Sequence, residues 1–282
     1  MELLNDFKQW RPSGRPVAVT IGNFDGVHRG HQALLQRLHL LALRWQGAVL
    51  VVTFGNHPAG VLRPKAQMLR LCTPSHKYRL LAANAVDATM ALAFTPALAQ
   101  LTAEQFLSTL SQYIPFKALL LGHDAVLGKG RQGTPPVLQT IAQKLNFDLE
   151  YLKPVYVGDE LVSSSLIRRY VAAGDLEGAS RLLGRPYSLC GRIDRESAAG
   201  PLLLEGELLF HVEGLQMPPA GSYGAVLLFQ GMSITATLQI PVVEVASLGS
   251  LCRLQLLEAV LFPIASLAVV GEVEVIVGGK AM

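Results

Sequence analysis

Between residues 17 and 183 short apolar runs alternate with longer amphipathic segments, and that alternation constrains the fold more than any other feature of the chain. Runs at 17–21, 48–54, 88–93, 118–121 and 148–152 have strand length. Segments at 30–45, 75–85, 102–112, 136–145, 164–173 and 175–183 repeat apolar residues with helical period. Strand and helix in alternation predict a parallel sheet covered on both faces, with ligands at the carboxyl ends of its strands. After about residue 186 helical periodicity fades. Turn signals such as Pro218-Pro219, Gly221 and Gly231 appear, with β-rich runs such as 271–278, and these predict a small antiparallel barrel or sandwich. The expected architecture is an α/β domain over 1–185 followed by a β domain over 186–282.

Half of the 282 residues are apolar, which excludes a disordered chain. The net charge of +3 hides an asymmetry: through residue 185 there are 20 basic against 12 acidic residues, and beyond it 4 against 9. The first part therefore carries +8 and attracts anions. Its basic residues are scattered and match no nucleic-acid motif, so small phosphorylated molecules are the expected partners rather than nucleic acid. Cys72, Cys190 and Cys252 form no CxxC pair, which speaks against a disulfide framework or a thiolate metal site. No signal-peptide core precedes the first strand, and the longest near-apolar run, 259–271, falls short of the roughly 20 residues that span a bilayer. A cytoplasmic protein without a membrane partner is expected.

TIGNFDGVHRGHQALL, residues 20–35, places Asp25, His28, Arg29 and His31 among Gly22, Gly26 and Gly30 on a strand-to-helix turn. Free backbone N–H groups and the positive end of the helix dipole make such a turn an anion site. Leu34, Leu35, Leu38, Leu41 and Ala42 form the expected buried stripe, leaving the turn to face a ligand. His28 and His31, three apart, can meet one phosphate from one side, and the glycines permit close approach. HxxH by itself also suits a turn with two solvated histidines. As a zinc site it lacks a third ligand nearby, so no metal ligands are assigned.

The full string GNFDGVHRGH resembles the signature of the HxGH nucleotidyltransferases, and its GxFDGxHxGH form is similar to that of the bacterial FAD synthetases, whose usual architecture is a bifunctional riboflavin kinase and FMN adenylyltransferase. TFGNHP at residues 53–58 is similar to the family's TFxPHP, LGHDAVLGKGRQG at 121–133 to its flavin loop, and VSSSLIRRYVAAGDLEGASRLLGRPYSLCGRI at 162–193 to its VSSTxIR helix and domain junction. The resemblance implies a Rossmann-like nucleotidyltransferase domain and a riboflavin-kinase-like β-barrel. It implies AMP transfer from ATP, with Mg²⁺, to FMN as substrate, giving FAD and pyrophosphate in flavin metabolism. It assigns His28, His31 and Arg168 to catalysis, and Gly22, Asn23, Phe24, Asp25, Gly26, Gly30, Ser163 and Ser164 to ATP. His57, Pro58, Leu62 and Asp124 fall to FMN. A serine run alone equally suits a helix cap. A homo-oligomer is allowed.

Two departures qualify the resemblance. Positions matching the family's flavin-facing aromatics read Val61, Leu62, Ala125 and Leu127, and Asn56 replaces a proline. RIDRESAAGPLLLEGELLFHV at 192–212 replaces the kinase's GxxxGFPTANL-like segment, while MPPAGSYGAVL at 217–227 still resembles a strand of that domain and Glu258 lies in a loosely similar LLEAVLF stretch. Riboflavin kinase activity is expected to be absent. The rival readings are a nucleotidyltransferase for another phosphorylated acceptor, and a protein that binds nucleotide or flavin without turnover.

Overall fold

The computed structural model describes residues 1–11, 14–56, 58, 69–193, 207–229, 231–242, 249–257 and 273–280. The chain forms two compact units, one of Met1–Met68 with Pro74–Val162 and one of Leu69–Thr73 with Ser163–Met282. They part ahead of residue 185, so the two helices after Val162 group with the β-rich remainder.

The first unit is an α/β layer structure. Its strands are β1 (Glu2–Leu4), β2 (Val17–Ile21), β3 (Ala48–Phe54), β4 (Ala88–Leu92), β5 (Phe116–Gly122) and β6 (Asp148–Leu152), in spatial order β1-β4-β3-β2-β5-β6. Every neighbouring pair is parallel. All five residues of β2 and all five of β4 are buried, which is why these strands read as continuous apolar runs without alternation. One face packs Val19, Leu50, Val52, Met90 and Leu119 under α4 (Ala103–Tyr113) and α5 (Pro135–Leu145). The other packs Ala18, Val49, Val51 and Leu120 under α1 (Arg29–Leu43) and α2 (Pro74–Ala83). Pro96–Ala99 adds a short helix, α3, and Tyr156–Val157 with Glu160–Leu161 a two-strand hairpin, β7 and β8. From β2 the chain order runs through β3 and β4 on one side and through β5 and β6 on the other. The sheet's switch point, and with it the ligand crevice, therefore lies at the carboxyl end of β2.

In the second unit α6 (Ser164–Ala173) and α7 (Leu176–Leu183) end on left-handed Gly174 and Gly184. Strands β9 (Ser188–Ile193), β10 (Glu207–Glu213), β11 (Gly221–Phe229), β12 (Met232–Ile240), β13 (Gly249–Leu256) and β14 (Val273–Lys280) close a barrel in the order β10-β13-β12-β11-β14-β9. Along β12 Ile234, Ala236, Leu238 and Ile240 are buried while Ser233, Thr235 and Gln239 are exposed. With Leu208, Phe210, Tyr223, Leu254 and Val275 they make an apolar interior. The expected barrel or sandwich is thus a closed barrel. Among the described residues no helix is long and apolar enough to cross a membrane.

Candidate active site

β2 delivers the chain to a tight turn. The Gly22 N–H donates to Val52 O at 3.0 Å, then Phe24, Gly26 and Val27 take left-handed backbone angles, φ 51°, 75° and 39°. For a β-branched valine that region is strained, at about 1–3 kcal/mol per residue. Burial holds it in place. Phe24, Asp25, Gly26 and Val27 are all buried, and the Gln32 side chain donates to Val27 O at 2.9 Å. The turn delivers His28 to the N-cap of α1, where anions are attracted.

His28 and His31 come together face to face, ring centroids 3.7 Å apart and planes 15° from parallel. Phe24 covers His31 from 4.8 Å. His28 Nδ1 accepts the backbone N–H of His31 at 3.4 Å, which places the ring proton of the neutral form of His28 on Nε2. His31 Nδ1 is enclosed and has no hydrogen-bond partner among the described residues. Burial first, then the charges of His28 and Lys77, hold the His31 pKa well below the usual histidine range. Two imidazolium rings at this separation would repel, so the pair carries at most one positive charge.

The sign of the linkage follows. His31 takes up a proton in the unfolded chain at about pH 6.5 and resists it when folded. Acidification from pH 7 through 6.5 and below is therefore expected to lower stability, and His31→Gln to make Tm depend less on pH over that window. Parallel Tm profiles for the two proteins would contradict this.

Gly30 owes its place to the same ring. A Cβ there would stand 3.2 Å from His28 Cε1 and Nδ1. Alanine favours a helix over glycine by about 1 kcal/mol, so Gly30→Ala is expected to leave Tm unchanged or raised and yet to lower turnover. Turnover equal to wild type would contradict the steric assignment.

One residue of the site escaped the sequence reading. Lys77, on α2, is buried, and its Nζ donates to Phe54 O (2.7 Å), Thr53 Oγ1 (3.1 Å) and Asn23 O (3.3 Å). Thr53 Oγ1 also donates to Asn23 O at 3.2 Å. The ends of β2 and β3 are thereby tied together. The available signal was a lysine four residues before buried Leu81, on the stripe where an apolar side chain is expected.

The remaining site residues are spread more widely. Asn23 is exposed at the turn and Asp124 exposed after β5; Pro58 is half-buried; His57 and Leu62, with Val61 and Glu258, lie outside the described residues. Ala125 and Leu127 are partly buried against the core, as are the aromatics Phe54 and Tyr151. Phe94 meets Phe54 edge-on at 5.1 Å. Ser163, Ser164 and Arg168 belong to the second unit. Ser163 caps α6, its Oγ accepting the Leu166 N–H at 3.2 Å, which still leaves the hydroxyl proton to donate. Arg168 Nη2 donates to Ser165 Oγ at 3.2 Å. A groove of about 680 Å³ beside Trp45, Lys117 and Asn146 opens at the amino ends of β5 and β6, the end of the sheet opposite the histidines.

A family model described as FAD synthetase matches residues 11–166. The chain is 35% identical over 176 residues to the bifunctional riboflavin kinase/FMN adenylyltransferase of Escherichia coli (strain K12), covering 62% of this chain and 56% of that protein. To the protein of the same description from Pseudomonas fluorescens it is 34% identical over 194 residues, 68% of this chain and 62% of the other. The match thus spans less than two thirds of the length of these relatives. A crystal structure described as a macrolide-efflux protein from Streptococcus pneumoniae superposes with a TM-score of 0.80 at 22% identity, over 99% of this chain and 90% of that one. That likeness speaks to the fold alone.

Proposed function

The chain belongs to the FAD synthetase family, and from that premise we propose that it transfers AMP from MgATP to FMN. An oxygen of the FMN phosphate attacks the α-phosphorus, the bond from the α-phosphorus to the bridging oxygen breaks, and pyrophosphate leaves as FAD forms; magnesium bound with the nucleotide would offset the charge of the leaving phosphates. No covalent enzyme intermediate is required. The observation that carries this reading is the stacked His28–His31 pair at the start of α1, at the sheet's switch point. Catalysis of this kind consists of positioning and of stabilising charge that builds up on phosphate oxygens. A neutral imidazole with its proton on Nε2 donates to such an oxygen, and the N-terminal amides of α1 add their dipole. The tie made by Lys77 keeps the donors in place beforehand.

On the family resemblance, Ser163, Ser164 and Arg168 also serve the nucleotide phosphates. Arg168 offers a planar fork of donors where a lysine would offer a point charge. Asp124, Pro58, His57 and Leu62 are assigned to FMN, with Phe54 and Phe94 adding aromatic surface at the ends of β3 and β4. The transferase function is assigned to 1–185 and a degenerate kinase-like domain to 186–282. All three cysteines are buried thiols outside any disulfide, which fits a reducing cytoplasm.

Supplied with MgATP and FMN, the purified chain is expected to form FAD and pyrophosphate. With riboflavin in place of FMN it is expected to form neither FMN nor FAD, because the segment that would align the γ-phosphate with the riboflavin hydroxyl is missing and positioning is the main source of phosphoryl-transfer catalysis. Chromatography of both incubations checks the pair of statements. FMN accumulating from riboflavin would show a divergent kinase in place of a lost one.

A further inference from the structure

We propose that Lys77 is a positioning residue of the AMP transfer: it fastens the turn between Gly22 and His28 to the end of β3 and keeps a fixed positive charge beside the histidine pair. The inference rests on the reaction proposed above. An ammonium group has three protons, and three acceptors meet that of Lys77, namely Phe54 O, Thr53 Oγ1 and Asn23 O at 2.7, 3.1 and 3.3 Å. Burying a cation is costly unless its protons are bonded. Packing alone would be served better by a leucine at this position of α2. With its protons committed, the lysine acts through what it holds and through its field.

What it holds is the site. Asn23 O belongs to the turn that places His28 at the N-cap, and Phe54 O ends the neighbouring strand, so one side chain sets the spacing of two strand ends at the switch point. The turn it secures contains strained Phe24 and Val27, whose backbone angles persist only while their surroundings fix them. Its field acts on His31. The titratable groups that oppose protonation of His31 are His28 at the same helix start and Lys77 on α2, and Asp25 is the acidic residue of the intervening turn. With Lys77 present His31 enters the reaction neutral, and the attraction for polyphosphate comes in part from a charge that does not titrate away.

The test compares Lys77→Gln, which removes the charge, with Lys77→Arg, which retains it, in the full-length chain. Steady-state rates of FAD formation give kcat and the KM for ATP, and proton NMR, with the His31 signal assigned by its absence from His31→Gln, gives the titration of that ring. Lys77→Gln is expected to lower kcat about ten-fold or more while KM changes by less than about three-fold, and to move the His31 midpoint upward. Lys77→Arg is expected to keep the midpoint near that of wild type, a separation that a purely structural role would not produce. Thr53→Val removes one acceptor and leaves the charge; it should lower kcat without moving the midpoint, which keeps the test alive if Lys77→Gln fails to fold. A midpoint unmoved in Lys77→Gln, or a kcat within about two-fold of wild type in both Lys77→Gln and Thr53→Val, would overturn the proposal. Absence of AMP transfer in the wild type would instead refute the reaction, and the NMR arm would still decide whether Lys77 governs His31.

Discussion

Alanine in place of His28 or His31 is expected to lower kcat about 10²-fold or more, with a much smaller change in the affinity for ATP. In the proposed reaction both rings meet the phosphate on which charge builds up during transfer, and donors already oriented there contribute more to the transition state than to the bound nucleotide. Because the rings are stacked at 3.7 Å and one receives the backbone N–H of the other, they act as a unit, so the double variant should fall little further than the worse single one. His28 is also the N-cap of α1, and its loss should cost about 1 kcal/mol of stability. Unfolding measured beside the kinetics separates that cost from the catalytic one. Near-wild-type turnover in the double variant would refute the role given to the pair.

The second large effect is structural and falls in the loop that follows β5. Gly128 has φ 77°, and a Cβ there would lie 2.3 Å from the backbone nitrogen of Ala103 at the start of α4. That nitrogen, and the Thr102 carbonyl carbon at 2.9 Å, are backbone atoms that cannot turn aside. Gly128→Ala is therefore expected to destabilise the protein by about 2–4 kcal/mol, the sum of a left-handed alanine and an overlap in a packed contact. Gly130→Ala is the control, since Gly130 shares the positive φ, 61°, but a Cβ there would meet only Gln132 Cγ at 4.0 Å. Denaturant midpoints for the two variants decide the matter. Equal, small losses would show that the overlap at Gly128 is relieved by a loop shift.

Sequence periodicity located elements whose stabilisation is local or fully buried. The stripe of Leu34, Leu35, Leu38, Leu41 and Ala42 is the buried face of α1, because in a helix lying on a sheet the apolar spacing and the burial are one fact. β2 and β3, buried almost throughout, begin and end where their apolar runs do. β1 gave no such signal: of Glu2–Leu4 only Leu4 is buried, and the strand exists through its parallel register with β4, Glu2 opposite Ala88. The barrel's closure was equally out of reach, since alternation along β12 is the same in a sandwich; closure depends on β9 pairing with both β10 and β14. At the site, the HxGH spacing brought two histidines to one helix start, but their stacking and the enclosure of His31 Nδ1 follow from the left-handed turn at Phe24 and Val27. Lys77 was missed because its role comes from a strand end and a turn distant in the sequence, Phe54 and Asn23, which only the folded sheet brings to it.

The central claim, AMP transfer to FMN, is tested most directly with ATP labelled in the α-phosphate. Incubated with the purified chain, magnesium and FMN, the label is predicted to appear in FAD, with one pyrophosphate released for each FAD formed and the signal falling with His28→Ala. Label that stays in ATP, or leaves as free AMP with no FAD formed, would contradict the account.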